Sequence, residues 1–203
     1  PGENTTPVYE DSANTTSRIK PGIKYFVPLV FIVLLFGSLY WNAAYGNSSA
    51  PEKTVKTFYT AYLNRDFDTV AKNLSVFWSV RFLPQYAALS PTELLNNRAK
   101  IEADISKVIA DIEQNNQIPK GISIEIEKEY TKQGENSALV VYGFKENGQI
   151  TSMETAVLIK ENGQLRIFNM SPVDPQTLEQ IKSIDIKILD ENFTNLLQPE
   201  KAK

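Results

Sequence analysis

Residues 25–45 (YFVPLVFIVLLFGSLYWNAAY) form the longest apolar stretch of the chain, and the next charged residue after it is Glu52. As a helix, these 21 residues would span about 31 Å, the thickness of a bilayer's hydrocarbon core. A helix also satisfies every backbone group in lipid. The pattern predicts a membrane-spanning anchor over residues 23–45. Residues 1–22 are rich in Thr, Asn, Ser, Pro and Glu and poor in apolar residues, which predicts a disordered tail. Residues 46–50 (GNSSA) read as a linker, residues 51–190 as one domain, and residues 191–203 as a frayed end.

Inside the domain the apolar period changes along the chain. Val55, Phe58, Tyr59, Tyr62 and Leu63 recur at three- and four-residue steps and predict a helix opened by Pro51. Asn64, Arg65 and Asp66 break it, and Asp66 suits the N-cap of a second helix through Leu74. In residues 75–83 Val76, Trp78, Val80 and Phe82 alternate, which favours a short strand over a helix. Ser90, Pro91 and Glu93 announce a long helix to about Asn116 with Leu94, Ile101, Ile105, Val108 and Ile112 inward; Arg98 occupies one slot of that stripe. Four strands follow, over residues 122–127, 138–145, 151–160 and 165–170, and two copies of Lys-Glu-Asn-Gly-Gln supply Asn-Gly hairpin turns. A last helix opens at residues 171–175 and runs to about Leu189 with Leu178, Ile181, Ile184 and Ile188 inward. The expected fold class is α+β, with helices packed on a curved antiparallel sheet behind one transmembrane helix.

Charge adds direction. Arg18, Lys20 and Lys24 precede the apolar run and nothing basic follows until Lys53, so positive-inside bias puts the tail in the cytoplasm and the domain outside it. A cleaved signal peptide is the rival, but its apolar core would be shorter and its polar start briefer. The formal net charge is −3, with no basic cluster, which argues against nucleic acid. The chain has no Cys, so disulfides do not stabilise it.

Residues 51–74 (PEKTVKTFYTAYLNRDFDTVAKNL) and the meander of residues 122–168 resemble the nuclear-transport-factor-2-like, cystatin-like α+β cone. In particular they look like a bacterial domain family of unknown function built on that fold and often tethered behind an anchor. The layout of short tail, single span and outer cone is also similar to the bitopic scaffold subunit of conjugative type IV secretion systems. These resemblances imply a cone-shaped domain in a cell envelope.

Enzymes on that fold, such as ketosteroid isomerase and scytalone dehydratase, place Asp, His or Tyr in the cone. This chain contains no His and no Cys, which excludes His-based acid–base chemistry, a His metal site and a thiolate nucleophile. Asp66 and Asp68 read as helix-start residues, and Glu125, Glu127 and Glu129 as the solvated side of a strand. No catalytic residue, metal site or cofactor is therefore expected. Tyr59, Tyr62, Trp78, Phe82 and Tyr86 are the candidates for a pocket in the cone. Leu139, Val141, Leu158 and Phe168 are the candidates for an apolar outer sheet face that binds other envelope proteins or a second copy. The leading expectation is a non-enzymatic, single-pass envelope protein for interaction or assembly, including a secretion or conjugation scaffold. The alternative is a small-ligand binding module using the aromatic cone, and the third choice an enzyme.

Overall fold

The computed structural model describes residues 50–198, Pro119 excepted. The tail, the expected anchor over 23–45, most of the linker and the last five residues lie outside the described residues. Among the described residues no helix is long and apolar enough to cross a membrane.

The helices are α1 (Ala50–Leu63), α2 (Phe67–Asn73), α3 (Val76–Ser79), α4 (Pro91–Asn96), α5 (Arg98–Glu113), α6 (Leu178–Ser183) and α7 (Ile186–Leu197). The strands are β1 (Ile122–Ile126), β2 (Lys132–Gln133), β3 (Ser137–Glu146), β4 (Gln149–Glu161) and β5 (Gln164–Pro172). They form one antiparallel sheet in the order β1-β3-β4-β5, with β2 also paired to β3. Both Lys-Glu-Asn-Gly-Gln copies turn as expected: Asn147 and Gly148 have φ of 51° and 83°, Asn162 and Gly163 of 49° and 80°. Register shifts at Phe144/Lys145 and Val157/Leu158 curve the sheet.

Local chemistry sets the helix ends. Asp66 caps α2 by accepting the Thr69 N–H at 3.1 Å, and Ser90 with Glu93 closes a capping box on α4. Arg65, at φ 58°, donates to the carbonyls of Asn116, at 3.0 Å, and Glu113, so a cation covers the C-terminal end of α5.

Four expected elements come out differently. Residues 75–83 are helical, not a strand: α3 is followed by a 3-10 turn at Val80–Phe82. Ser75 caps α3 by accepting the Phe77 N–H at 3.1 Å, and the buried positions Val76, Ser79 and Leu83 recur at helical spacing. The polar Ser79 hid that period. The long helix breaks at Asn97, whose Nδ2 donates to the Glu93 carbonyl at 2.9 Å and competes with the helical ladder. Its stripe also ends early, since Ile112 is exposed. The first strand stops at Ile126, and Lys128–Tyr130 forms a 3-10 turn that leads into the two-residue β2. Glu127 and Glu129 thus lie off the strand. Finally, the last helix is two, divided at Ile184 and Asp185, and it runs to Leu197 rather than fraying from residue 191. Ile181 and Phe193 face inward, whereas Ile184 and Ile188 are exposed.

The core has three parts. On the inner sheet face Val140, Tyr142, Leu158 and Ile167 meet Val55, Phe58 and Tyr59 of α1. A second cluster joins α3 to α5 through Val76, Leu83, Ile101 and Ile105. On the outer face Leu139 and Val141 lie under Tyr130 and Ile181.

This arrangement corrects the expected interface. Cross-strand partners share a face, and Leu139 pairs with Val157 while Leu158 pairs with Ala138, so Leu158 belongs to the inner core. Leu139 and Val141 are covered by the chain's own α6, and Phe168 stacks on Phe193 of α7 with ring centroids 4.9 Å apart. The four residues therefore do not form a free apolar face.

A carboxylate latches α7 to the sheet. Asp190 accepts from the Asn136 N–H at 2.7 Å, the Ser137 hydroxyl at 2.7 Å and the Glu135 N–H at 3.0 Å. A Cβ at Gly134 would sit 2.5 Å from Asp190 Oδ1, so this close approach requires glycine. Partial burial pushes the Asp190 carboxyl up, but these donors outweigh it and hold it below the usual carboxylate value. With the folded value depressed, the latch contributes fully above about pH 4 and is lost as pH falls through the folded value. Asp190→Ala is expected to cost about 1–3 kcal/mol and to speed amide hydrogen exchange in α7 first. Unchanged exchange there would show that Phe193 holds α7 alone.

Candidate functional site

Beside the inner core, α1, α2, α3 and α5 leave a cleft of about 220 Å³, floored by Met170 of β5. Its aromatic wall is Phe58 and Tyr62 of α1, Trp78 of α3 and Phe82 of the following 3-10 turn. Its aliphatic wall is the face of α5 that carries Ile105, Val108, Ile109 and Ile112. Trp78 and Phe82 stack at 4.8 Å between centroids. Phe82 and Ile112 are 47% and 58% exposed and frame the mouth. Glu113, the last residue of α5, is the single charged residue in the lining. Its carboxylate accepts from Asn116 Nδ2 at 3.2 Å; burial, then the neighbouring Glu113 carboxylate, pushes the Tyr62 phenol up.

Three of the five expected pocket residues, Tyr62, Trp78 and Phe82, thus meet in one cleft. The other two do not. Tyr86 is buried in the second core cluster and donates to Asp104 Oδ2 at 2.7 Å; burial, then this bond, pushes its phenol up to about 12. Tyr59 reaches the sheet instead. Its Oη lies 2.7 Å from Tyr142 Oη and 3.1 Å from Glu154 Oε2, which Tyr142 also approaches at 2.6 Å. Glu154 accepts from both phenols, or from one of them while the other phenol donates to its neighbour. Burial raises both phenols far above their ordinary value, and Glu154 adds to this, so they remain neutral donors. Tyr142 is fully buried, and none of the three residues lines the cleft, so this knot ties α1 to the sheet instead of facing a ligand.

A second polar cluster escaped the sequence pattern. The Glu161 side chain is fully buried and pairs with Arg98, which also bonds Glu102 at 2.8 Å. Ser75 donates to Glu161 Oε1 at 2.5 Å and the Val76 N–H to Oε2 at 3.4 Å. The visible signal was Arg98 itself, a cation inside an apolar stripe. Of the carboxylates read as structural, Asp66 caps α2, Asp68 accepts from Ser106 at 2.6 Å, and Glu125 pairs with Lys145 at 2.7 Å, while Glu127 and Glu129 leave the strand. Among the described residues no group of three or more acids could hold a metal ion.

The cleft offers apolar walls, one carboxylate and one phenol, an arrangement suited to binding. Compared with protein-family profiles, curated proteins and solved structures, the chain matches none.

Proposed function

We propose that this chain is a non-enzymatic binding domain of nuclear-transport-factor-2-like shape, held outside a membrane by residues 23–45, that takes up a small apolar ligand between its helices. The observation that carries it is the cleft of about 220 Å³, walled by aromatic and aliphatic side chains and open at Phe82 and Ile112. Apolar clefts with few, placed polar groups are the usual form of small-molecule sites.

Assembly with other envelope proteins, or of two copies, rested on an apolar outer sheet face that α6 and α7 cover. Among the described residues, what remains for it outside the cleft is Ile150, Ile184 and Ile188, and a few exposed isoleucines are ordinary on protein surfaces. Ligand uptake therefore has the stronger support.

The test is binding of 1-aminoanthracene, a small apolar fluorophore, to the whole chain in lipid discs, with protein-free discs subtracted. Saturable one-to-one binding is expected. Ile112→Trp, at the exposed mouth, should weaken it about tenfold, or about 1.4 kcal/mol, with the melting temperature unchanged. A signal that never saturates, or one that Ile112→Trp leaves intact, would remove the cleft as the site.

A further inference from the structure

Four aromatic rings and a lone carboxylate describe more than an apolar hole. Phe58, Tyr62, Trp78 and Phe82 line the cleft, and Glu113 lies beside them with no basic residue in the lining. Aromatic faces attract cations through the ring quadrupole, and clusters of them recognise organic ammonium groups. Glu113 is also the last residue of the 16-residue α5, whose carbonyl end carries the negative pole of the helix. Arg65 offsets part of that field by bonding the Glu113 and Asn116 carbonyls, but it reaches the backbone and leaves the Glu113 carboxylate with the Asn116 amide beside it. An anionic head group would meet Glu113 as a like charge. A neutral one would use only its hydrogen-bond capacity.

Building on the cleft as a ligand site, we infer that its ligand is an amphiphilic cation: an ammonium head held by Glu113 and the aromatic rings, with an apolar body against α5. The cleft, at about 220 Å³, exceeds the roughly 150 Å³ that holds one benzene. It therefore fits a single ring with a short chain, or a short alkyl chain, and not a long lipid tail.

Trp41 and Trp78 are the two tryptophans, so Trp41→Phe leaves Trp78 as a reporter inside the cleft. The whole chain carrying Trp41→Phe, in phosphatidylcholine discs, is titrated with hexylammonium, 1-hexanol and hexanoate, and Trp78 emission is followed. Hexylammonium is expected to bind at least about tenfold more tightly than hexanoate and more tightly than hexanol. Glu113→Gln should bring the ammonium down to the affinity of the alcohol. Equal affinity for hexylammonium and hexanol, or tighter binding of hexanoate, overturns the cation assignment while the cleft itself stands. No saturable response to any of the three overturns the cleft as well. The three-ligand comparison decides the matter on the chain with Glu113 intact, so it does not depend on Glu113→Gln folding.

Discussion

Arg98→Ala is expected to destabilise the domain by about 3–5 kcal/mol, measured by urea unfolding at neutral pH. The reason is Glu161. Its side chain is fully buried, and Arg98, itself 14% exposed, is its charge partner. Without the guanidinium, only the Ser75 hydroxyl and the Val76 N–H would still face the carboxylate. A buried charge left with two neutral donors costs far more than the pair contributed. Against a typical total of roughly 5–15 kcal/mol, such a loss brings a domain to the edge of folding.

The pair need not be a net stabiliser. The Nε atoms of Arg98 and of the neighbouring Arg166 are buried without acceptors, and burial followed by the proximity of Arg98 pushes the Arg166 guanidinium down. Replacing Arg98 and Glu161 together by methionine should thus recover most of the loss, because apolar side chains of similar volume remove both desolvated charges. Recovery in the double variant separates a charge effect from lost packing. If Arg98→Ala costs less than about 1 kcal/mol, Glu161 reaches water in solution and the buried network is not as tight as described.

Alkaline pH should unfold the domain earlier than its surface chemistry alone would. Tyr142 and Tyr59 are 0% and 7% exposed, and Tyr86 is 4%. All three phenols are raised in the folded state, chiefly by burial. A folded value above the unfolded one means that the folded state keeps its proton longer. The contribution is fully present below about pH 10 and fades as pH climbs toward the folded value. Tyr142, fully buried, removes about 1.4 kcal/mol of stability by pH 11.

Tyr142→Phe isolates the term. The lysines titrate in wild type and variant alike, so the drop in unfolding free energy between pH 8 and pH 11 should be about 1.4 kcal/mol smaller in the variant. At neutral pH the same substitution removes the 2.6 Å bond to Glu154 and costs about 1–2 kcal/mol. An identical pH dependence in both proteins would mean that the Tyr142 phenol ionises freely and the knot with Tyr59 opens.

The local code of this chain was readable residue by residue. Asp66, Ser90 and Glu93 cap their helices where the sequence puts them. Both Asn-Gly turns form, and the meander of β3, β4 and β5 runs between them in the expected antiparallel order. These features are decided within a few residues by backbone sterics, side-chain caps and the period of burial, so a linear reading reaches them. Tyr62, Trp78 and Phe82 were likewise visible as candidate pocket aromatics, although Trp78 and Phe82 read as strand positions, and they do share a cleft.

What the period could not supply was the third dimension. The two Lys-Glu-Asn-Gly-Gln copies are identical, yet Glu146 is exposed while Glu161 is buried against Arg98. That difference is made by a helix starting some sixty positions upstream in the chain, so no local rule contains it. Tyr59 and Tyr62 are one turn apart on α1, but Tyr59 reaches Tyr142 of the sheet while Tyr62 lines the cleft with Glu113 of α5, a split that only the packed neighbours decide. The outer sheet face looked unpartnered because alternation reports that a face is apolar and not what covers it. Only the return of α6 and α7, latched by Asp190 to the β2–β3 turn, decided that the cover is the chain itself.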